Sequence, residues 1–222
     1  MKLALALETS TRRPSIALGL GSKTVALELS PARAHGSDLL PAIDQLFRAG
    51  GFEPGSLAAI VVGTGPGSFT GLRVGIATAL GLARATGAEL FGLPSIEAWV
   101  YGELAAGATA TVLLDARGGG FYRACYRRLT DEVETLTAPA VVGRDEALAL
   151  LRASERVLAE PGLADALELS EIERARCASE RPPRAEQLLE LGRARLARSG
   201  AMKAAQIEPL YLRPFAATAR KR

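Results

Sequence analysis

The chain is poor in the residues that build metal centres and disulfide frameworks. It carries one histidine, His35, and two cysteines, Cys125 and Cys177, which lie far apart and outside any C-x-x-C pair. A histidine-based zinc site would have to recruit cysteines from distant positions to reach four ligands, so no metal is expected. The cysteines read as small buried thiols in a reducing compartment, and His35 as a helix-start histidine bonded to backbone. Long hydrophobic runs are missing too. Leu3 to Leu7 stops at Glu8, short of the roughly 7–15 residues of a secretory h-region, and nothing nears the roughly 20 of a membrane span. A cytoplasmic protein with no membrane contact is expected. Nor is there a basic face. The net charge is +3, residues 1–103 balance 8 basic against 8 acidic side chains, and the surplus matches the terminal Arg220-Lys221-Arg222. Binding RNA unaided is therefore not expected.

What the chain does have is glycine at meaningful spacing. Residues Thr64 to Gly75 read T-G-P-G-S-F-T-G-L-R-V-G, a glycine loop running into a helix. Such loops cradle phosphate or press backbone against another surface, because glycine lacks the Cβ that blocks close approach. The Walker pattern is absent, since Gly71 is followed by Leu72 and Arg73 and not by lysine. Arg73 in the first turn and Ser68 or Thr70 as caps leave weak anion affinity open beside a purely structural turn. In the helix, Gly71, Gly75, Ala79 and Ala83 recur every fourth residue. Interior glycines cost about 1 kcal/mol each relative to alanine, so the stripe marks a close backbone approach. Its neighbour is either the protein's own sheet or a helix of a second chain.

Apolar periodicity places these motifs. Leu3–Leu7, Pro14–Leu20 and Thr24–Leu29 read as a three-strand meander. Leu39, Leu40, Ile43, Leu46 and Phe47 recur at helical spacing, with Ser37 as N-cap and Gly50-Gly51 as the stop. Ala58–Gly63, a helix from Thr70 to Ala85 and Glu89–Leu93 form a β-α-β unit, and Ser95 opens another helix. This β-β-β-α-β-α-β order is that of the ribonuclease H-like lobe in the actin, Hsp70 and sugar-kinase superfamily, a fold analogy only. A second α/β lobe starts near Gly107, with Thr109–Leu114 and Phe121–Arg127 paired across Gly118-Gly119-Gly120. Val141–Arg152, Val157–Glu160, Leu163–Leu169 and Arg184–Arg198 continue it as mixed helix and strand. The expected domains are 1–103, completed by 208–222, and a smaller lobe at 104–207.

Other chemistry is thin. Thr9-Ser10-Thr11 sits where that superfamily has a phosphate-binding hairpin, but Glu8 leads it in place of the usual aspartate. The extra methylene moves the carboxylate by about an ångström, a displacement already costly in such a site. Candidate nucleotide contacts are Thr9, Ser10, Gly65, Gly67 and Ser68. No G-x-S-x-G elbow exists, and the one histidine would have to serve as base. Asp115 ends a strand and either faces the cleft or begins a turn.

L-A-L-E-T-S-T at Leu3 onward, R-A-H-G-S-D-L-L-P from Arg33, G-T-G-P-G-S-F-T-G-L-R-V-G from Gly63 and G-L-P-S-I-E-A from Gly92 together resemble the bacterial TsaB (YeaZ) family. D-A-R-G-G-G-F-Y from Asp115 and P-L-Y-L-R-P from Pro209 extend the resemblance over nearly the whole chain. It implies two ribonuclease H-like lobes and a dimerisation subunit of the machinery that places threonylcarbamoyl on the adenosine beside the tRNA anticodon. It also implies no catalysis by this chain. The catalytic relative, TsaD, carries H-x-x-x-H where this sequence has Ser95 and Trp99, neither of which replaces imidazole as a tight metal ligand. Implied partners are a TsaD-like subunit, a TsaE-like ATPase and a second copy when alone, with tRNA met only in the complex. No cofactor is implied for this chain, ATP being confined to the interface with partners. Pairing through the two first-lobe helices implies an interface of Leu39, Ile43, Leu46, Phe47, Gly71, Arg73, Gly75, Ile76, Ala79, Leu80 and Ala83. Glu160-Pro161-Gly162 departs from the glycine-rich turn of relatives. The rival readings are an ATP-using phosphotransferase of the actin-like class and a metallopeptidase.

Overall fold

A computed structural model describes residues 2–29, 36–116, 118–179 and 181–212. His35 and residues 213–222 lie outside them. The protein is a mixed α/β fold with two five-stranded sheets. In the first, β1 (Leu3–Glu8), β2 (Ser15–Leu20) and β3 (Lys23–Glu28) form an antiparallel meander. After α1 (Gly36–Gly50), β4 (Leu57–Gly63) pairs in parallel with β1, and after α2 (Phe69–Thr86), β5 (Glu89–Leu93) pairs in parallel with β4. The order is β3-β2-β1-β4-β5.

The second sheet repeats this plan. Following α3 (Ser95–Glu103), strands β6 (Thr109–Asp115), β7 (Phe121–Arg128) and β8 (Val133–Val142) form another antiparallel meander. Then come α4 (Arg144–Ala153), β9 (Val157–Ala159), the short helices α5 (Leu163–Ala166) and α6 (Glu171–Arg174), β10 (Cys177–Ser179) and α7 (Ala185–Ser199). β9 runs parallel to β6 and β10 to β9, giving β8-β7-β6-β9-β10. The Val141–Arg152 segment thus divides, Val141 and Val142 closing a strand and Arg144 opening a helix.

Strand β1, Leu-Ala-Leu-Ala-Leu-Glu, is buried on both faces, and its alternation sorts the layers. Leu3, Leu5 and Leu7 point to the core beneath α1 and α2. Ala4 and Ala6 point the other way, joining Ala17, Ala59 and Val61 in a small-residue surface on which α7 lies close. A Cβ on Gly192 of α7 would stand 2.3 Å from Val61 Cγ1. The same core holds α3 and the inner residues Ala110, Val112, Ala124 and Tyr126 of the second sheet, with Trp99 fully buried in it. A third core joins Leu113, Leu151, Val157 and Leu163 on the outer face of that sheet.

Helix α7 falls within the 104–207 stretch assigned to the smaller lobe, yet it packs on β1, β2, β4 and β5 of the first sheet. Its leucines match an alanine-faced sheet as well as they match any other, so sequence order alone misplaces it. Ile207 joins the first core, and Leu210 N donates to Thr64 O, at 2.8 Å. Among the described residues no helix is long and apolar enough to cross a membrane.

Candidate functional site

Two surfaces stand out: the outward side of α1 and α2, and the cleft between the two sheets. Helix α2 is capped by Ser68, whose Oγ accepts from Gly71 N at 3.2 Å, and closed by Gly87 in the left-handed region. The glycine-alanine stripe faces home. A Cβ on Gly71 would lie 2.1 Å from Thr9 O, and one on Gly75 2.1 Å from Thr9 Oγ1. Ala79 is 0% exposed, and Ala83 packs against the same core. The stripe lets α2 press on the end of β1, so its neighbour is the protein's own sheet.

The other residues expected at a partner interface need the same correction. Leu39, Ile43, Leu46 and Phe47 turn inward from α1, and Ile76 inward from α2. Leu80 is half-buried against that core, and of the set only Arg73 is exposed. The amphipathic pattern finds the face that must leave water, and the protein's own core claims it first. What faces outward is different. On α2 it is Thr70, Arg73, Ala77, Gly81 and Arg84, and on α1 it is Leu40, Pro41, Asp44 and Arg48. Leu40 is 54% exposed. A Cβ on Gly81 would meet no atom within 4 Å. Between Arg73 and Arg84 the outward side of α2 carries only Ala77 and Gly81.

Arg73 is held in place. Its guanidinium lies 3.9 Å from the Phe69 ring centroid, and its Nε donates to Tyr211 Oη at 3.0 Å. The Phe69 and Tyr211 rings are 5.1 Å apart, so the cluster clasps the returning chain to the first turn of α2.

The cleft, about 760 Å³, is lined by Ser10 to Arg13 and Pro66 to Thr70 from the first sheet's side and by Asp115, Tyr122 and Glu160 to Leu163 from the second's. Of the candidate nucleotide contacts, Ser10, Gly67 and Ser68 line it and Thr9 and Gly65 do not, and the loop's backbone is engaged within the chain. Ser68 N donates to Ser10 O at 2.6 Å, and a Cβ on Gly67 would be 2.2 Å from that oxygen. Gly65 N donates to Ser95 Oγ at 3.2 Å, and Ser95 N to Gly65 O at 2.9 Å. The glycines let the loop seat on the Ser10 turn, leaving these residues a poor fit to a phosphate cradle.

Glu8 is sealed beneath that turn. Its Oε1 accepts from Ser10 N at 2.7 Å, and its Oε2 lies beside Gly63 and the Ser95 hydroxyl with no bond of ordinary geometry. Burial raises its pKa, and the nearby Ser10 and Ser95 hydroxyls with the Ser10 amide offset only part of the rise. A carboxyl so enclosed cannot reach a metal ion in the cleft. Ser95 and Trp99 are both fully buried. Among the described residues no group of three His, Cys, Asp or Glu side chains is placed to hold a metal. Asp115 lines the cleft, its amide donating to Glu160 Oε1 at 2.5 Å.

With this geometry in place, the likeness to known proteins is informative. The family described as "TsaD: tRNA N6-adenosine threonylcarbamoyltransferase" matches residues 30–170. A protein of Escherichia coli named "tRNA threonylcarbamoyladenosine biosynthesis protein TsaB" is 33% identical over 147 residues, 62% of this chain and 63% of the relative. Its namesake in Haemophilus influenzae is 45% identical over 91 residues, 40% of this chain and 37% of that one. YeaZ from Pseudomonas aeruginosa superposes with a TM-score of 0.77 at 26% identity, covering 96% of this chain and all of that one. The chain belongs to the TsaB (YeaZ) family. The aligned stretches span less than two thirds of the E. coli and H. influenzae proteins, whereas the likeness to the Pseudomonas YeaZ structure runs end to end. That breadth extends family membership to the second sheet, where sequence motifs are looser.

Proposed function

We propose that this chain is a non-catalytic dimerisation subunit that supports threonylcarbamoyl transfer to the adenosine beside the tRNA anticodon. It docks a TsaD-like catalytic subunit through the outward face of α1 and α2. The names borne by its relatives support the pathway. Gly81 carries the docking reading. It sits mid-helix and exposed, costs about 1 kcal/mol relative to alanine, and contacts nothing in its own chain that would explain it. Beside Ala77 and the protruding Leu40 it offers a helix from another chain a close backbone approach with an apolar anchor. In the absence of the catalytic subunit, a second copy uses the same face. A TsaE-like ATPase and tRNA are met through the complex, in the cytoplasm.

The two sheets of matching strand order are read as two ribonuclease H-like lobes of the actin, Hsp70 and sugar-kinase superfamily. The sealed Glu8 and the buried Ser95 and Trp99 support the non-catalytic assignment, because the residues at those positions can neither hold a metal nor reach the cleft. No cofactor is assigned to this chain alone, and an ATP in the assembly would need groups from a partner. A Gly67 substitution cannot test the rival phosphotransferase reading, since any Cβ there strikes Ser10 O and perturbs the fold itself.

Gly81→Arg is the test. It places a long side chain in open space on the free subunit and removes a helix glycine, so the monomer keeps or gains stability. Binding to the TsaD-like subunit from the same host, measured by gel filtration and calorimetry, falls by at least about tenfold, or about 1.4 kcal/mol. Unchanged affinity with a folded variant rejects the assignment of this face. Ala79→Arg is no substitute, because Ala79 lies in the core and its replacement unfolds the subunit.

A further inference from the structure

At the end of the second sheet remote from the cleft, a cluster of charges ties the two lobes together. Arg195 of α7, a helix seated on the first sheet, reaches the β7–β8 turn of the second. Its Nη1 lies 2.5 Å from Glu97 Oε2 on α3, and its Nε donates to Glu132 Oε1 at 2.8 Å. Arg198 Nη2 holds the other Glu132 oxygen at 2.8 Å and also donates to Asp131 O. Arg128 at the end of β7 donates from Nε to Tyr101 O at 3.0 Å and stacks on the Tyr101 ring at 3.6 Å, closing the C-terminal turn of α3. The Arg195 and Glu97 side chains are only 17% and 15% exposed.

Strand β7 links this cluster to the cleft. Tyr122, near its start, lines the cleft, and Arg128 ends it in the cluster. The strand spans roughly 20 Å at about 3.3 Å per residue. Among the described residues, α3 packs on β7 and β8, and the leucines of α7 share a core with Val112, Ala124, Tyr126 and Val133 of the second sheet. Packed side chains resist separation but tolerate small sliding, whereas a guanidinium shared by two carboxylates has few alternative geometries.

We propose that the Arg195 cluster is an interlobe latch that fixes how the second sheet sits on α3 and α7, and thereby sets the width of the cleft. The latch does not depend on what the cleft or the outer helices bind. A half-buried arginine that loses one carboxylate leaves the others poorly compensated, so the latch holds or releases as a unit.

The single tryptophan, Trp99, lies fully buried in the core between the sheets and two residues from Glu97, so it reports on the latch directly. The test compares the full chain with Glu97→Gln/Arg195→Met, which removes the central guanidinium without stranding a buried charge, and with the milder Arg198→Met. Hydrogen–deuterium exchange by mass spectrometry and acrylamide quenching of Trp99 are the readouts. For the double variant, exchange over residues 109–128 and 157–163 rises at least about tenfold, Trp99 quenching increases, and exchange in β1 and β4 stays as in the parent. Arg198→Met shifts the same segments less. Unchanged exchange and quenching in both variants overturn the latch, leaving a peripheral ion cluster. An equal rise in β1 and β4 also overturns it, because the cluster then supports one common core and not the seating of one lobe. Should the double variant fail to fold, Arg198→Met decides on the same two criteria.

Discussion

Helix α2 carries two glycines whose replacement by alanine has opposite consequences. At Gly71 the added Cβ falls 2.1 Å from Thr9 O, well inside the 3.4 Å at which ordinary contact begins. The obstacle is a backbone carbonyl in a buried turn, so relief requires moving α2 or the end of β1. Leu72, Ile76 and Ala79 hold the helix in the core, and Ser68 N bonded to Ser10 O holds the loop before it. Overpacking of this kind costs up to about 3 kcal/mol. At Gly81 the Cβ meets nothing, and only the propensity gain of about 1 kcal/mol remains. For a chain of this length 1 kcal/mol moves Tm by roughly 2–4 °C. Gly71→Ala should therefore melt below the parent, by up to roughly 6–12 °C, and Gly81→Ala roughly 2–4 °C above it. Thermal and urea unfolding by circular dichroism, at a dilution where self-association makes no contribution, gives both numbers. A destabilising Gly81→Ala would refute the reasoning, because it would mean that the outward side of α2 is occupied within the molecule. So would a neutral Gly71→Ala, since the stripe would then not be packed on β1.

Two pH measurements follow from buried and capped carboxyls. Burial raises the Glu8 pKa above its ordinary 4.5, so the folded protein holds a proton that the unfolded chain releases. That contribution is complete below pH 4.5 and is lost as pH rises through the folded value, and Glu8→Gln should gain stability over the parent across that interval. A constant difference in urea midpoint from pH 4 to 8 would reject a raised value. Glu173 behaves oppositely: the Ser170 amide in the α6 capping box, and then Arg152, hold its pKa down to about 2. A carbon-detected titration of Glu173 should have its midpoint near 2, and Ser170→Pro, which removes the amide donor at a φ of -65° that proline adopts, should return it toward 4.5. A Glu173 midpoint that ignores the Ser170 substitution would show that the cap is not the cause.

Most of the first lobe is legible in the sequence because each of its elements has its own signal. Short apolar runs between turn residues give β1 to β3, and Glu89–Leu93 is a strand with the bounds that its apolar run suggests. The β6–β7 hairpin of the second meander is legible from the triple glycine at Gly118 to Gly120, whereas β8, exposed or half-buried over most of its length, carries no such apolar signal. Legibility fails where two faces of one element carry the same signal. Helix α2 is lined with small residues inside, at Gly71, Gly75 and Ala79, and outside, at Ala77 and Gly81. A period of 3.6 detects a stripe but not which side of it meets the sheet. Only the position of Thr9, brought against Gly71 and Gly75 by the pairing of β1 with β4, decides the matter. The cleft fails for a related reason. A glycine loop that cradles an anion and one that seats on a neighbouring turn require the same absence of Cβ, and only the bond from Ser68 N to Ser10 O separates them. Leu40 escapes for the converse reason. It shares the helical spacing of Leu39 and Ile43, and a single apolar residue one step off the buried stripe becomes a candidate anchor only once the stripe is known to face home.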